Sequence, residues 1–89
     1  MSQFERPDTR LIVRERLSRN AEDPDALFVL AVLRVQDGRV DEGITILDHV
    51  LRIDPAYPGG WRFKAKLHRM QGQTDASRSA DRQAEVIDP

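Results

Sequence analysis

The chain has 89 residues, no cysteine, a formal net charge of −1 and a pI near 6.1. That length sets the bound at one small domain. The charge excludes a general nucleic-acid binder, which is normally strongly basic, and the missing thiols exclude disulfides and thiolate metal sites. No run approaches the roughly 18 apolar residues of a membrane span, and the N-terminus has no apolar core like a secretory signal, so a soluble cytoplasmic protein is expected, with no membrane contact.

Residues 1–7 read as a lead-in. Asp8-Thr9 then opens a helical pattern to about Arg19, with Leu11, Ile12, Val13 and Leu17 apolar. Asn20 to Asp23 reads as a loop. From Ala26 to Val35 nine of ten residues are apolar, with Arg34 the exception. Periodicity alone does not separate a buried helix from a buried strand here, but the ends do. Asp23-Pro24-Asp25 supplies a cap, a proline suited to the first helical position and a charge that suits the N-terminal dipole. Asp37-Gly38 supplies a stop. The spacing therefore predicts a central helix over 24–36, covered on several sides. A third helix follows, opened by Asp41-Glu42 and running to about Ile53. Asp54-Pro55-Ala56-Tyr57-Pro58 is a loop whose prolines end one helix and start the next. A fourth helix is expected over 59–71, with Gly59 and Gly60 weakening its first turn. After Gly72-Gln73, Thr74 is a candidate cap for a last helix, 75–87. The expectation is five helices and no sheet.

Shifted by 34 residues, the chain falls on itself. Pro24 lands on Pro58, Leu27 on Trp61, Ala31 on Ala65, Leu33 on Leu67, Gly38 on Gly72, Asp41 on Asp75, Ile53 on Ile87, Asp54 on Asp88 and Pro55 on Pro89. A 34-residue unit of two helices resembles the tetratricopeptide repeat. The family pattern runs tryptophan, leucine, glycine and tyrosine on the first helix, then alanine and phenylalanine on the second, then proline. In the first unit Leu27, Leu30, Ala31 and Arg34 stand at the first-helix positions, followed by Gly43, Leu47 and Pro55. In the second they are Trp61, Lys64, Ala65 and His68, then Ser77, Asp81 and Pro89. Arg34 and His68 replace the tyrosine, while Lys64 and Asp81 replace apolar residues. The resemblance implies an all-α stack of antiparallel helical hairpins: a capping helix over 8–19, one repeat over 24–57 and a second over 58–89.

In such a stack the second helix of each unit packs on its own first helix and on the first helix of the next unit. On helix 41–53 the own-unit stripe is Glu42, Ile46, Val50 and Ile53, and the next-unit stripe is Ile44, Leu47 and Leu51. Shifted forward, the own-unit stripe becomes Ala76, Ala80, Ala84 and Ile87, still able to pack. The next-unit stripe becomes Arg78, Asp81 and Glu85, a polar face that greets no third unit. Shifted back, the next-unit stripe becomes Arg10, Val13 and Leu17. The own-unit stripe becomes Asp8, Ile12, Arg16 and Arg19, mostly polar because no helix precedes it. A short, capped module is expected.

Catalysis finds little support. His49 and His68 lie on different helices without metal-ligand spacing, Gly59-Gly60 is not a phosphate loop, and the carboxylates at helix starts are explained by capping. No metal and no cofactor is implied. Trp61 takes the pattern's tryptophan position, which points to the core. The candidate binding residues are Phe28, Val32 and Val35 on the first helix of unit one, and their shifted equivalents Arg62, Lys66 and Arg69 in unit two. Positions of this kind often line the concave groove in the repeat family. Spacings of four and three put each trio on one helical face, with an ordinary solvated face as the plain alternative for the cations. The resemblance implies protein–protein binding by a monomer, the partner being a protein or peptide with acidic groups. The rival reading is self-association: two and a half repeats fall short of the usual three, and Leu11 and Ile12 lie near the incomplete face of the first helix.

Overall fold

The computed structural model describes residues 7–87, which form five α-helices and no strand: α1 (Pro7–Arg19), α2 (Pro24–Gln36), α3 (Val40–Ile53), α4 (Gly60–Met70) and α5 (Thr74–Ile87). Of the lead-in expected over 1–7, Pro7 already begins α1, while residues 1–6 and the repeat matches at Asp88 and Pro89 lie outside the described residues. Consecutive helices pack on one another, with α2 against α3 and α4 against α5 as the two hairpins, and α1–α2 and α3–α4 as the junctions. This is the all-α repeat stack that the 34-residue period predicts.

Local chemistry sets the helix ends. Asp23 caps α2: its carboxylate accepts the Ala26 N–H at 3.1 Å, and Pro24 occupies the first turn. Gly38 and Gly72, matched by the repeat, end their helices at φ +82° and +71°, the left-handed region where a Cβ is penalised. The fourth helix starts one residue later than the sequence suggests, because Gly59 is itself left-handed and precedes it. Thr74 is the first helical residue of α5 rather than a residue ahead of it.

Leu27, Ala31, Leu47, Val50, Leu51 and Leu67 form the core, drawn from α2, α3 and α4. Leu47 is fully buried at the centre of the stack. The small positions permit close helix approach. A Cβ on Gly43 would lie 2.7 Å from Val35 Cγ2 and 3.2 Å from the Ala31 carbonyl oxygen, so α3 reaches α2 only through glycine there. Its equivalent on α5, Ser77, is buried along with Ala80 and Ala84. The outer faces of the two end helices are largely exposed. Arg78 and Glu85 are exposed on α5, and Asp81 is held by Arg69 at 3.1 Å. On α1, Val13 is buried towards α2 while Leu11 and Ile12 remain 53% and 51% exposed.

Ionic contacts tie α1 to the rest. Arg10 grips Asp37 beyond the end of α2 through both carboxylate oxygens, at 2.9 and 3.2 Å. Arg16 does the same to Asp23, at 3.0 and 3.1 Å. Arg34 reaches Glu42 at 3.5 Å, joining α2 to α3.

Candidate peptide-binding face

The six candidate residues sit on α2 and α4, the first helices of the two hairpins. On α2, Phe28 is half-buried, with its ring centroid 5.1 Å from Tyr57 and 5.4 Å from Phe63. Phe28 on α2 therefore meets both the 54–59 loop and α4 directly. Val35 is also half-buried and packs over Gly43, so it serves the α2–α3 contact as well as any ligand. Val32, between them, is half-buried and lies outside the group packed on the core.

The cations on α4 fare differently from one another. Arg62 and Lys66 are exposed, and Lys66 has no ion pair among the described residues. Arg69 turns to α5, where its Nη1 donates to Asp81 Oδ2 and to Ser77 Oγ, each at 3.1 Å. The three share one helical side by spacing, yet Arg69 helps seal the last hairpin and carries its own counter-charge. Phe28 touches Phe63 on α4, the helix that carries the three candidate cations.

Tyr57 and Phe63 belong to this face and were not among the sequence candidates. Tyr57 lies in a loop, where helical periodicity carries no information about direction, and Phe63 shifts onto the unremarkable Val29. Tyr57 Oη donates to Asp25 Oδ1 at 2.8 Å. Burial, aided by the Asp25 carboxylate beside it, pushes the phenol up to about 12. Met70, at the end of α4, is 56% exposed and adds apolar surface.

The other singled-out residues have structural partners. Trp61 Nε1 donates to the Pro55 carbonyl at 2.8 Å, and its ring packs on the core. Lys64 Nζ lies over that ring, 5.2 Å from the centroid, and 2.7 Å from Asp48 Oδ1. His49 Nε2 lies 3.4 Å from Glu22 Oε1, and His68 Nδ1 lies 2.6 Å from Gln73 Oε1. Among the described residues no group of three His, Cys, Asp or Glu side chains could hold a metal ion, and no helix is long and apolar enough to cross a membrane.

No curated protein matches the chain. A family model described as tetratricopeptide repeat matches residues 12–79, reaching from α1 into α5.

Proposed function

The chain belongs to the tetratricopeptide repeat family, whose members generally mediate protein–protein interaction, and from that premise we propose that it is a non-catalytic module holding a peptide or partner helix on the face shared by α2 and α4. The observation that carries this reading is the meeting of Phe28 with both Tyr57 and Phe63, with Arg62 and Lys66 exposed on the same helix as Phe63. A ligand suited to both halves has acidic groups next to apolar anchors. Each solvent-exposed ion pair contributes only about 0.2–1 kcal/mol, so Phe28, Val32 and Val35 supply much of the affinity, and the charges set orientation and partner choice.

The test is a partner obtained by affinity capture, purified and titrated against wild type and the Arg62→Glu, Lys66→Glu double variant. At least tenfold weaker binding by the folded double variant, with affinity falling as salt rises, is the expected result. Equal affinity would reduce the cations to a solvated surface. Arg69 is left intact in this variant because its contact with Asp81 belongs to the fold.

Self-association is the second reading, favoured by the exposure of Leu11 and Ile12 on α1. Light scattering across a concentration series separates the two, since a concentration-independent monomer removes it.

A further inference from the structure

The two junctions of the stack are related by the 34-residue shift, so they can be compared position by position. At α3–α4 the apolar residues are Leu47, Leu51 and Leu67, all buried, and beside them Asp48 and Lys64 are joined at 2.7 Å. At α1–α2 the equivalents are Val13, Leu17 and Leu33, with Arg14 where Asp48 stands and Leu30 where Lys64 stands. A cation here faces hydrocarbon, and the bridging ion pair is missing from this junction. Arg14 is exposed and makes no hydrogen bond or ion pair among the described residues. In place of the bridge there is a cleft of about 280 Å³, floored by Val13, Leu17, Leu30 and Leu33, with Arg14 on its rim. Two further rim residues are already engaged: Arg10 is held by Asp37, and Arg34 by Glu42 and Asp37.

We propose that this cleft is a second docking site, separate from the α2–α4 face, for a partner segment that presents an apolar side chain beside a carboxylate. The apolar side chain covers the half-buried Leu17 and Leu30. The carboxylate takes the Arg14 guanidinium, supplying from outside the opposite charge that the α3–α4 junction carries within the chain. A planar guanidinium suits a carboxylate through two parallel N–H donors. Charge complementarity selects the occupant: of the rim guanidinia, Arg10 and Arg34 are engaged while Arg14 has no ion pair among the described residues, so a carboxylate is attracted there and a basic segment is repelled.

The proposal is tested with a defined probe: the capped peptide acetyl-Glu-Glu-Leu-Leu-Glu-Glu-amide, titrated into the 15N-labelled full chain and followed by amide chemical shifts. Its lysine counterpart, with Lys in place of each Glu, is the charge control. Saturable shifts are expected on α1 around Val13 and Arg14 and on α2 around Leu30 and Leu33. The lysine peptide and the Arg14→Glu variant should each bind at least tenfold more weakly. The Arg14→Asp, Leu30→Lys double variant copies the Asp48–Lys64 arrangement into this junction. It should abolish the shifts while leaving the circular dichroism spectrum and thermal midpoint close to wild type. The Arg62→Glu, Lys66→Glu variant should bind the probe at this cleft as wild type does, which separates a failure here from a failure of the α2–α4 reading. No shifts at the cleft, equal response to the lysine peptide, or undiminished binding by Arg14→Glu would each overturn the site. Shifts lost only in the Arg62→Glu, Lys66→Glu variant would assign the peptide to the other face and overturn it too.

Discussion

Lys64 Nζ lies 2.7 Å from Asp48 Oδ1, an oxygen shut off from solvent and without a hydrogen bond of its own among the described residues. Lys64 stands at a position where the repeat pattern has an apolar residue, and this contact explains how a lysine is accommodated there. Its ammonium meets the carboxylate and the face of Trp61. The side chains are 22% and 38% exposed, so water screens part of the attraction. Asp81, the other polar departure from an apolar position, is likewise paired, with Arg69.

Lys64→Ala should therefore destabilise the fold by about 1–3 kcal/mol, because it leaves a buried carboxylate oxygen without its partner. Replacing both partners, as Lys64→Met with Asp48→Leu, should recover most of that loss, since a well-packed apolar pair often substitutes for an ion pair at little cost. Urea melts of Lys64→Ala, and of Lys64→Met, Asp48→Leu and their combination as a double-mutant cycle, check this.

Leu47→Ala should cost about 2–5 kcal/mol, the range for a large core residue truncated where the surroundings relax only partly. Val86, 79% exposed on α5, should lose less than about 0.5 kcal/mol on the same substitution. Denaturant midpoints compare the two, and equal stabilities would remove Leu47 from the centre of the stack.

Gly43→Ala should destabilise by about 1–3 kcal/mol through overpacking. The new Cβ meets Val35 Cγ2, which can move, and the Ala31 carbonyl, which cannot move without shifting α2. Combining it with Val35→Ala should relieve the first contact and leave the second. A double-mutant cycle by thermal melting should therefore show coupling between the two sites.

Replacing Arg78, Asp81 and Glu85 with Ile, Leu and Leu restores on α5 the stripe that α3 uses at the junction. An exposed apolar face of that extent should drive association. Sedimentation velocity should show a concentration-dependent species for the triple variant, and an unchanged monomer would contradict the capping role of this face.

Among the described residues, two acids and one phenol have pKa values moved from the ordinary ones. The backbone N–H of Ala26, with help from Arg16, holds the Asp23 carboxyl below its ordinary 3.8, and Arg10 does the same for Asp37. A depressed carboxylate pKa contributes stability that is present above the unfolded value and lost as pH falls through the folded one. Melting temperature should therefore drop below about pH 4, and Asp37→Asn should flatten part of that drop. Tyr57 is the single tyrosine, so its phenolate absorbance is readable alone. The folded chain should titrate near 12 rather than at the ordinary 10.0 of a phenol. The raised value favours the neutral phenol, so its contribution to stability is present below pH 10 and fades between 10 and 12. Asp25→Asn should lower the midpoint only in part, because burial is the larger cause.

Much was legible in the linear order because repetition encodes it. The period of 34, the matched glycines at 38 and 72, and the proline breaks determined five helices and their antiparallel pairing, since these features act through local backbone geometry and apolar periodicity. The same periodicity separated the packing stripe of α5, Ala80 and Ala84, from its polar one. Which side chains meet across helices was decided only in the folded chain. Spacing put Arg62, Lys66 and Arg69 on one side of α4, but Arg69 is drawn to Asp81, twelve residues on, because α5 brings that carboxylate alongside. Phe28 finds Tyr57 and Phe63 because the 54–59 loop turns Tyr57 inward, a direction that no helical period specifies. The contrast between the two junctions, one bridged by Asp48 and Lys64 and the other open beside Arg14, likewise depends on distances between elements remote in sequence. Such distances follow from how the hairpins pack.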